Sequence, residues 1–127
     1  MADGVLNLKG KRWNDPRDRG DGFRLLICRY RPRGVTKAGE TWDEWWPQLG
    51  PSKELHAAYY GKTGAPIGWE EYEKRLLEEM RGQGPRIAQL ARRAAKEPVT
   101  LLCSSHCEDP ARCHRTLLIR LAEAARR

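Results

Sequence analysis

The chain has 127 residues, 39% of them hydrophobic, and a formal charge of +7. No apolar run approaches the roughly 18 residues of a membrane span, and Met1-Ala-Asp-Gly lacks the basic-then-apolar opening of a secretory signal. The expectation is a cytoplasmic protein, long enough for one core without disulfide staples, whose clustered cysteines serve metal binding, catalysis or redox chemistry.

The charge is uneven. Residues 1–37 hold ten Lys/Arg against four Asp/Glu, residues 38–80 four against nine, and residues 81–127 ten against four. If the two basic ends meet, they present a positive face to an anionic partner.

In chain order, Val5–Lys9 alternates as a short strand should. Asn14 to Gly22 is rich in turn formers and reads as a loop. Phe23-Arg-Leu-Leu-Ile-Cys28-Arg29 is a continuous apolar run, and Arg24–Arg29 is expected as a strand covered on both faces. Pro32 and Gly34 end it in a turn. That leaves Arg29, Arg31 and Arg33 at a strand's carboxyl end, where open α/β sheets bind ligands.

Thr41-Trp-Asp-Glu44 has capping-box form and predicts a short helix with Trp42, Trp45, Trp46 and Leu49 on its apolar side. Ser52 is placed to cap a second short helix. Trp69 to about Arg81 has the most regular helical spacing, with Trp69, Tyr72, Leu76, Leu77 and Met80 as its inner stripe. Pro85 opens another helix, with Ile87, Leu90, Ala91 and Ala94 inward and Arg92, Arg93 and Lys96 outward.

Val99–Cys103 is a third strand. Asp109-Pro110 then starts a final helix, running to about Arg126 with Leu117, Leu118 and Leu121 buried. The alternation predicts a three-layer α/β domain over residues 1–127, with a small, mainly parallel sheet flanked by helices.

Three of the four cysteines and two of the three histidines fall within Cys103-Ser-Ser-His106-Cys107-Glu-Asp-Pro-Ala-Arg-Cys113-His114. Cys113, placed in the first turn of a helix, gains from unpaired N–H groups that favour a thiolate. His114 then moves protons, and Arg115 grips a carboxylate or phosphate. The same residues suit other chemistry. Cys103, Cys107, Cys113 and His114 make a zinc ligand set, although the spacing matches no paired knuckle. A redox pair between Cys103 and Cys107, or Cys107 and Cys113, is a further reading.

Three segments together resemble the YeaO-like family, a prokaryotic domain-of-unknown-function family numbered 488. They are Leu26-Ile-Cys28-Arg29-Tyr-Arg-Pro32-Arg33-Gly34-Val-Thr-Lys37, Trp42-Asp-Glu-Trp45 through Pro51-Ser52-Lys-Glu54-Leu55, and Cys107-Glu-Asp-Pro110-Ala-Arg-Cys113-His114-Arg115. The resemblance implies an α/β domain and no settled activity. It also implies two departures: Cys28 stands where the family's strand commonly carries Asp, and the Cys103–Cys107 loop is longer than usual. Cys28 and Cys103, both at strand ends, are expected to face each other across neighbouring strands.

The leading expectation is an enzyme or binding protein for a small anionic ligand. Arg29, Arg33 and Arg115 hold the anion, and Cys113 or His114 does any chemistry; no cofactor is specified. Two alternatives stand beside it. One is a nucleic-acid-associated module using the basic ends and an exposed Trp42 or Trp46. The other is a structural zinc module.

Overall fold

The computed structural model describes residues 6–104 and 109–126. Strands β1 (Leu8–Arg12), β2 (Phe23–Leu26), β3 (Glu44–Trp45) and β4 (Val99–Cys103) form one sheet in the order β1-β4-β2-β3. Every neighbouring pair runs parallel. The α-helices are α1 (Lys53–Tyr59), α2 (Trp69–Met80), α3 (Gly84–Ala94) and α4 (His114–Arg126). This is the expected α/β class. No helix among the described residues is long and apolar enough to cross a membrane.

The central strands β2 and β4 are buried along their whole length, which explains their unbroken apolarity. Alternation sorts their side chains onto two faces. Leu25, Ile27, Val99 and Leu101 enter a core shared with Leu55 of α1, Leu76 of α2, Leu90 of α3 and Leu118 of α4. Leu26 and Leu102 point the other way and pack on Trp42, with Trp13, Cys28 and Val35 around them. Among the described residues, all four helices contribute to the first core and none to the second. Loops and 3-10 turns therefore make the third layer.

The helical periodicities translate directly. Tyr72, Leu76 and Met80 are buried on α2, and Ile87, Leu90, Ala91 and Ala94 on α3. Ser52 caps α1 by accepting from Leu55 N at 3.1 Å. Arg93 is less outward than its spacing implies, because its guanidinium lies 3.5 Å from the Phe23 ring centroid.

Four boundaries differ from expectation. Val5 lies outside the described residues, and β1 runs on to Arg12. Leu6 is buried ahead of the strand, so its alternation with Leu8 marks core burial, not the start of a ladder. β2 stops at Leu26, where its paired register with β4 ends, although Ile27 N still donates to Leu102 O. The helix expected after Thr41 is instead strand β3 and a 3-10 turn at Pro47–Leu49. The Thr41 hydroxyl is drawn to Trp13 O, and Asp43 accepts from Arg24 N at 2.9 Å. The chain is thus pinned along the edge of β2. Finally, Asp109 caps a 3-10 turn, Pro110–Arg112, by accepting from Ala111 N at 3.0 Å. Cys113 is extended, and α4 begins only at His114.

A buried ionic knot ties the loop before β2 to the sheet. Asp21 and Arg24 are both fully buried and 2.7 Å apart. Lys9 and Lys11 of β1 each bring Nζ to 2.9 Å from Asp21. Burial alone would raise the Asp21 pKa. Hydrogen bonds from Lys9, Lys11, the Asp18 backbone and Arg24 outweigh it and hold the carboxyl far below the usual range.

Candidate functional site

Parallel pairing brings the carboxyl ends of β2 and β4 side by side. Ile27 N donates to Leu102 O at 3.1 Å, which sets the next residue, Cys28, beside Cys103 at the end of β4. The start of α4 packs over the same end. Cys103 and Cys113 are each 1% exposed and His114 6%, so the three form a buried group. Their Sγ and ring-nitrogen atoms all lie within 4.8 Å of one another.

The ring of His114 is oriented from both sides. Nε2 lies 2.9 Å from Ile27 O. A carbonyl only accepts, so Nε2 carries the proton. Nδ1 is then the bare nitrogen of the neutral ring, and it faces Cys103 Sγ at 3.3 Å. Burial pushes the His114 pKa down. The hydrogen bond to Cys113, negative charge on Cys28 and Cys113, and the Ile27 carbonyl push it up and prevail. The Cys28 thiol is held below its ordinary value by its hydrogen bond with Cys103, against burial. Both shifts favour a thiolate beside a protonated His114 ring.

Arg115 follows on the first turn of α4 and is only 6% exposed. Its stem lies over β1 where a side chain is missing: a Cβ on Gly10 would stand 2.9 Å from Arg115 Cδ. Arg115 also lowers the Asp15 pKa, although the Arg12 backbone hydrogen bond contributes more. Nη1 of Arg115 is buried with no hydrogen-bond partner among the described residues. An unmatched buried guanidinium N–H costs free energy unless something accepts from it.

The expected site residues are therefore only partly brought together. Cys103, Cys113 and His114 meet, Cys28 joins them through Cys103, and Arg115 shares the helix start. Cys113 stands just before α4, not within its first turn, because its backbone is extended with φ −140° and ψ 138°. Cys107 and His106 lie outside the described residues. Arg29 is half-buried beyond Cys28, and Arg33 is exposed on the turn where Gly34 has φ +74°. Neither Arg29 nor Arg33 belongs to the buried group. Arg31 is engaged by Glu40 at 2.8 Å and Val35 O at 2.6 Å.

Two parts of this end escaped the sequence reading. Gly10 had a usable signal, since a glycine inside a strand often marks close approach of another group. The Ile27 carbonyl had none, because a backbone acceptor looks the same at every residue.

The tryptophans do not form the expected base-stacking surface. Trp42 is 7% exposed and buried in the second core, and Trp46 is half-buried against the first. Trp45 is the exposed one at 37%, with its ring N–H donated to Cys28 O at 2.8 Å. Many cations of the basic N-terminal segment are also engaged internally, including Lys9, Lys11 and Arg24 on Asp21, Arg17 on Asp43 and Arg31 on Glu40.

A family model described as the active DUF488-N3 subclade matches residues 8–126. The chain is 35% identical over 100 residues to the uncharacterized protein YeaO of Escherichia coli K12, covering 79% of this chain and 84% of that one. It is 29% identical over 104 residues to the uncharacterized protein Mb3100c of Mycobacterium bovis and, equally, to Rv3073c of Mycobacterium tuberculosis, covering 82% of this chain and 83% of each. No solved structure matches it. The match along almost the whole chain, together with the YeaO identity, establishes that the protein belongs to the YeaO-like DUF488 family.

Proposed function

We propose that the protein binds a small anionic ligand at the carboxyl end of its sheet, and that Cys113 and His114 act on it there. The observation that carries this reading is Arg115: a buried guanidinium whose Nη1 has no partner among the described residues, on the same helix start as the thiol and the imidazole. A carboxylate or phosphate oxygen satisfies that N–H with a charge-assisted hydrogen bond. In the metal-free protein His114, with Nε2 anchored on Ile27 O and Nδ1 turned to the sulfurs, takes a thiol proton and leaves a thiolate in the site. Arg29 and Arg33 serve as the outer cationic rim that attracts the anion. The description of the matched subclade as active agrees with a working site.

Calorimetric titration with inorganic phosphate tests the reading. Wild type binds with one site per chain. Arg115→Met, which keeps most of the stem over Gly10, weakens binding at least tenfold, the loss expected for a charge-assisted hydrogen bond of about 1.5–3 kcal/mol. Equal affinity in wild type and variant removes Arg115 from the site and contradicts the proposal.

A further inference from the structure

The donors at this end also have the chemistry of a metal site. We propose that Cys103, Cys113 and His114, the three such donors that meet among the described residues, bind one zinc ion through two thiolates and the imidazole Nδ1, leaving the fourth coordination position open. The three donors come from the end of β4 and the start of α4, yet their ligand atoms lie within 4.8 Å of one another. Tetrahedral zinc with bonds of about 2.3 Å to sulfur and 2.0–2.1 Å to nitrogen needs donors that close.

Metal-bound histidines donate their other ring N–H to a fixed acceptor, which holds the ring in place and makes the ligating nitrogen more basic. Nε2 of His114 does so to Ile27 O at 2.9 Å, and Nδ1 faces sulfur at 3.3 Å. Two thiolates and a neutral imidazole balance a divalent cation, so the site is neutral where it is buried. A third thiolate would leave an uncompensated negative charge in a buried place, which is costly. Cys28 lies outside the 4.8 Å group and is not one of the ligands. Loading exchanges two thiol protons for the ion, and both protons leave to solvent. Sulfur and nitrogen donors together select a soft or borderline cation over magnesium or calcium.

Three protein ligands with an open position are the pattern of catalytic zinc, whereas structural zinc is closed by four. That the open position receives the anion held by Arg115 rests on the reading proposed above; the metal assignment does not.

The test uses the full chain purified without a metal-affinity step. After incubation with zinc and desalting, elemental analysis is expected to find about one zinc per chain in wild type and Cys28→Ser, and at least tenfold less in Cys103→Ser and Cys113→Ser. Cobalt(II) added to unaltered wild type produces the visible absorption of a tetrahedral thiolate complex, which needs no variant to fold. X-ray absorption of the zinc form counts two sulfurs, one imidazole nitrogen and one light atom. Folded wild type that retains no zinc and gives no thiolate–cobalt absorption overturns the inference, and so does a count of three sulfurs. Phosphate titrations run on the same samples separate the two proposals. Phosphate binding by zinc-refractory protein removes the metal and keeps the anion site. Zinc-loaded protein that ignores phosphate keeps the metal and removes the anion site.

Discussion

Replacing Asp21 with alanine is expected to lower the stability of the fold by about 3–5 kcal/mol, as seen when one partner of a buried ion pair is removed. The side chain is fully buried and meets three cations: Arg24 at 2.7 Å and Lys9 and Lys11 at 2.9 Å. Lys9 and Lys11 sit nearer the surface and regain water when the carboxylate goes. Arg24 is fully buried and does not, so its charge is the main source of the cost. Asp21 O also accepts from Thr100 Oγ1 at 2.9 Å, a backbone contact that alanine keeps. Urea unfolding followed by circular dichroism reads the difference. A loss below about 1 kcal/mol would show that the knot is not a main support of the sheet.

The same residue sets a pH dependence. In the unfolded chain the carboxyl protonates near its ordinary 3.8, whereas in the folded chain it resists protonation to far lower pH. The stabilisation is complete above the unfolded value and is lost as pH falls toward the folded one. Wild type therefore loses stability below about pH 4 because the unfolded state binds the proton first. Asp21→Ala, lacking this group, loses less over the same window. Parallel acid profiles for the two would contradict the assignment.

The adjacent Gly22→Ala is expected to be comparably damaging for a different reason. Gly22 has φ +61° and ψ −128°, a conformation that L side chains rarely adopt. Forcing a Cβ into it costs about 1–3 kcal/mol in strain alone. The new Cβ would also stand 2.2 Å from Pro98 O, and that atom is backbone. Pro98 O accepts from Phe23 N at 3.0 Å, so relieving the clash breaks the bond that starts β2 beside β4. Thermal unfolding is expected to show a loss of at least about 2 kcal/mol. A variant as stable as wild type would mean that this turn relaxes freely. Because Asp21 and Gly22 anchor one turn, the double variant is expected to lose less than the sum of the two.

Much of the fold was legible because it is local. Ser52 at a cap, Pro85 in a first turn, and the spacing of Tyr72, Leu76 and Met80 are set by neighbours within one or two turns. The continuous run from Phe23 marked a strand buried on both faces. The failures came where tertiary partners override a local signal. Thr41-Trp-Asp-Glu has the letters of a helix cap, but the Thr41 hydroxyl and Asp43 carboxylate find partners in Trp13 and Arg24. β1 was misplaced because Gly10 and two lysines look unlike a strand. Gly10 leaves room for Arg115, and Lys9 and Lys11 face Asp21.

The candidate site was half legible for the same reason. Cys113, His114 and Arg115 stand together in the chain, and Cys103 lies one loop away. That His114 Nε2 would rest on Ile27 O, turning Nδ1 to the sulfurs, depends on a pairing 87 residues apart in the chain. Cys28 was expected beside Cys103 because both were read as ends of neighbouring strands, and β2 and β4 do pair. Arg29 and Arg33 read as equal partners of Arg115, yet of these three only Arg115 is buried, with an N–H unmatched among the described residues.

The central claim is that an anion binds at Arg115, beside Cys113 and His114. Heteronuclear NMR of the labelled protein, titrated with inorganic phosphate, tests it most directly. The account predicts saturable shifts in the Arg115 Nε–H signal and in the backbone amides of Gly10 and of Cys113 through Thr116, with smaller changes elsewhere. Shifts spread over the exposed arginines and lysines of α2 and α3, with the Arg115 and Gly10 signals unmoved, would contradict it.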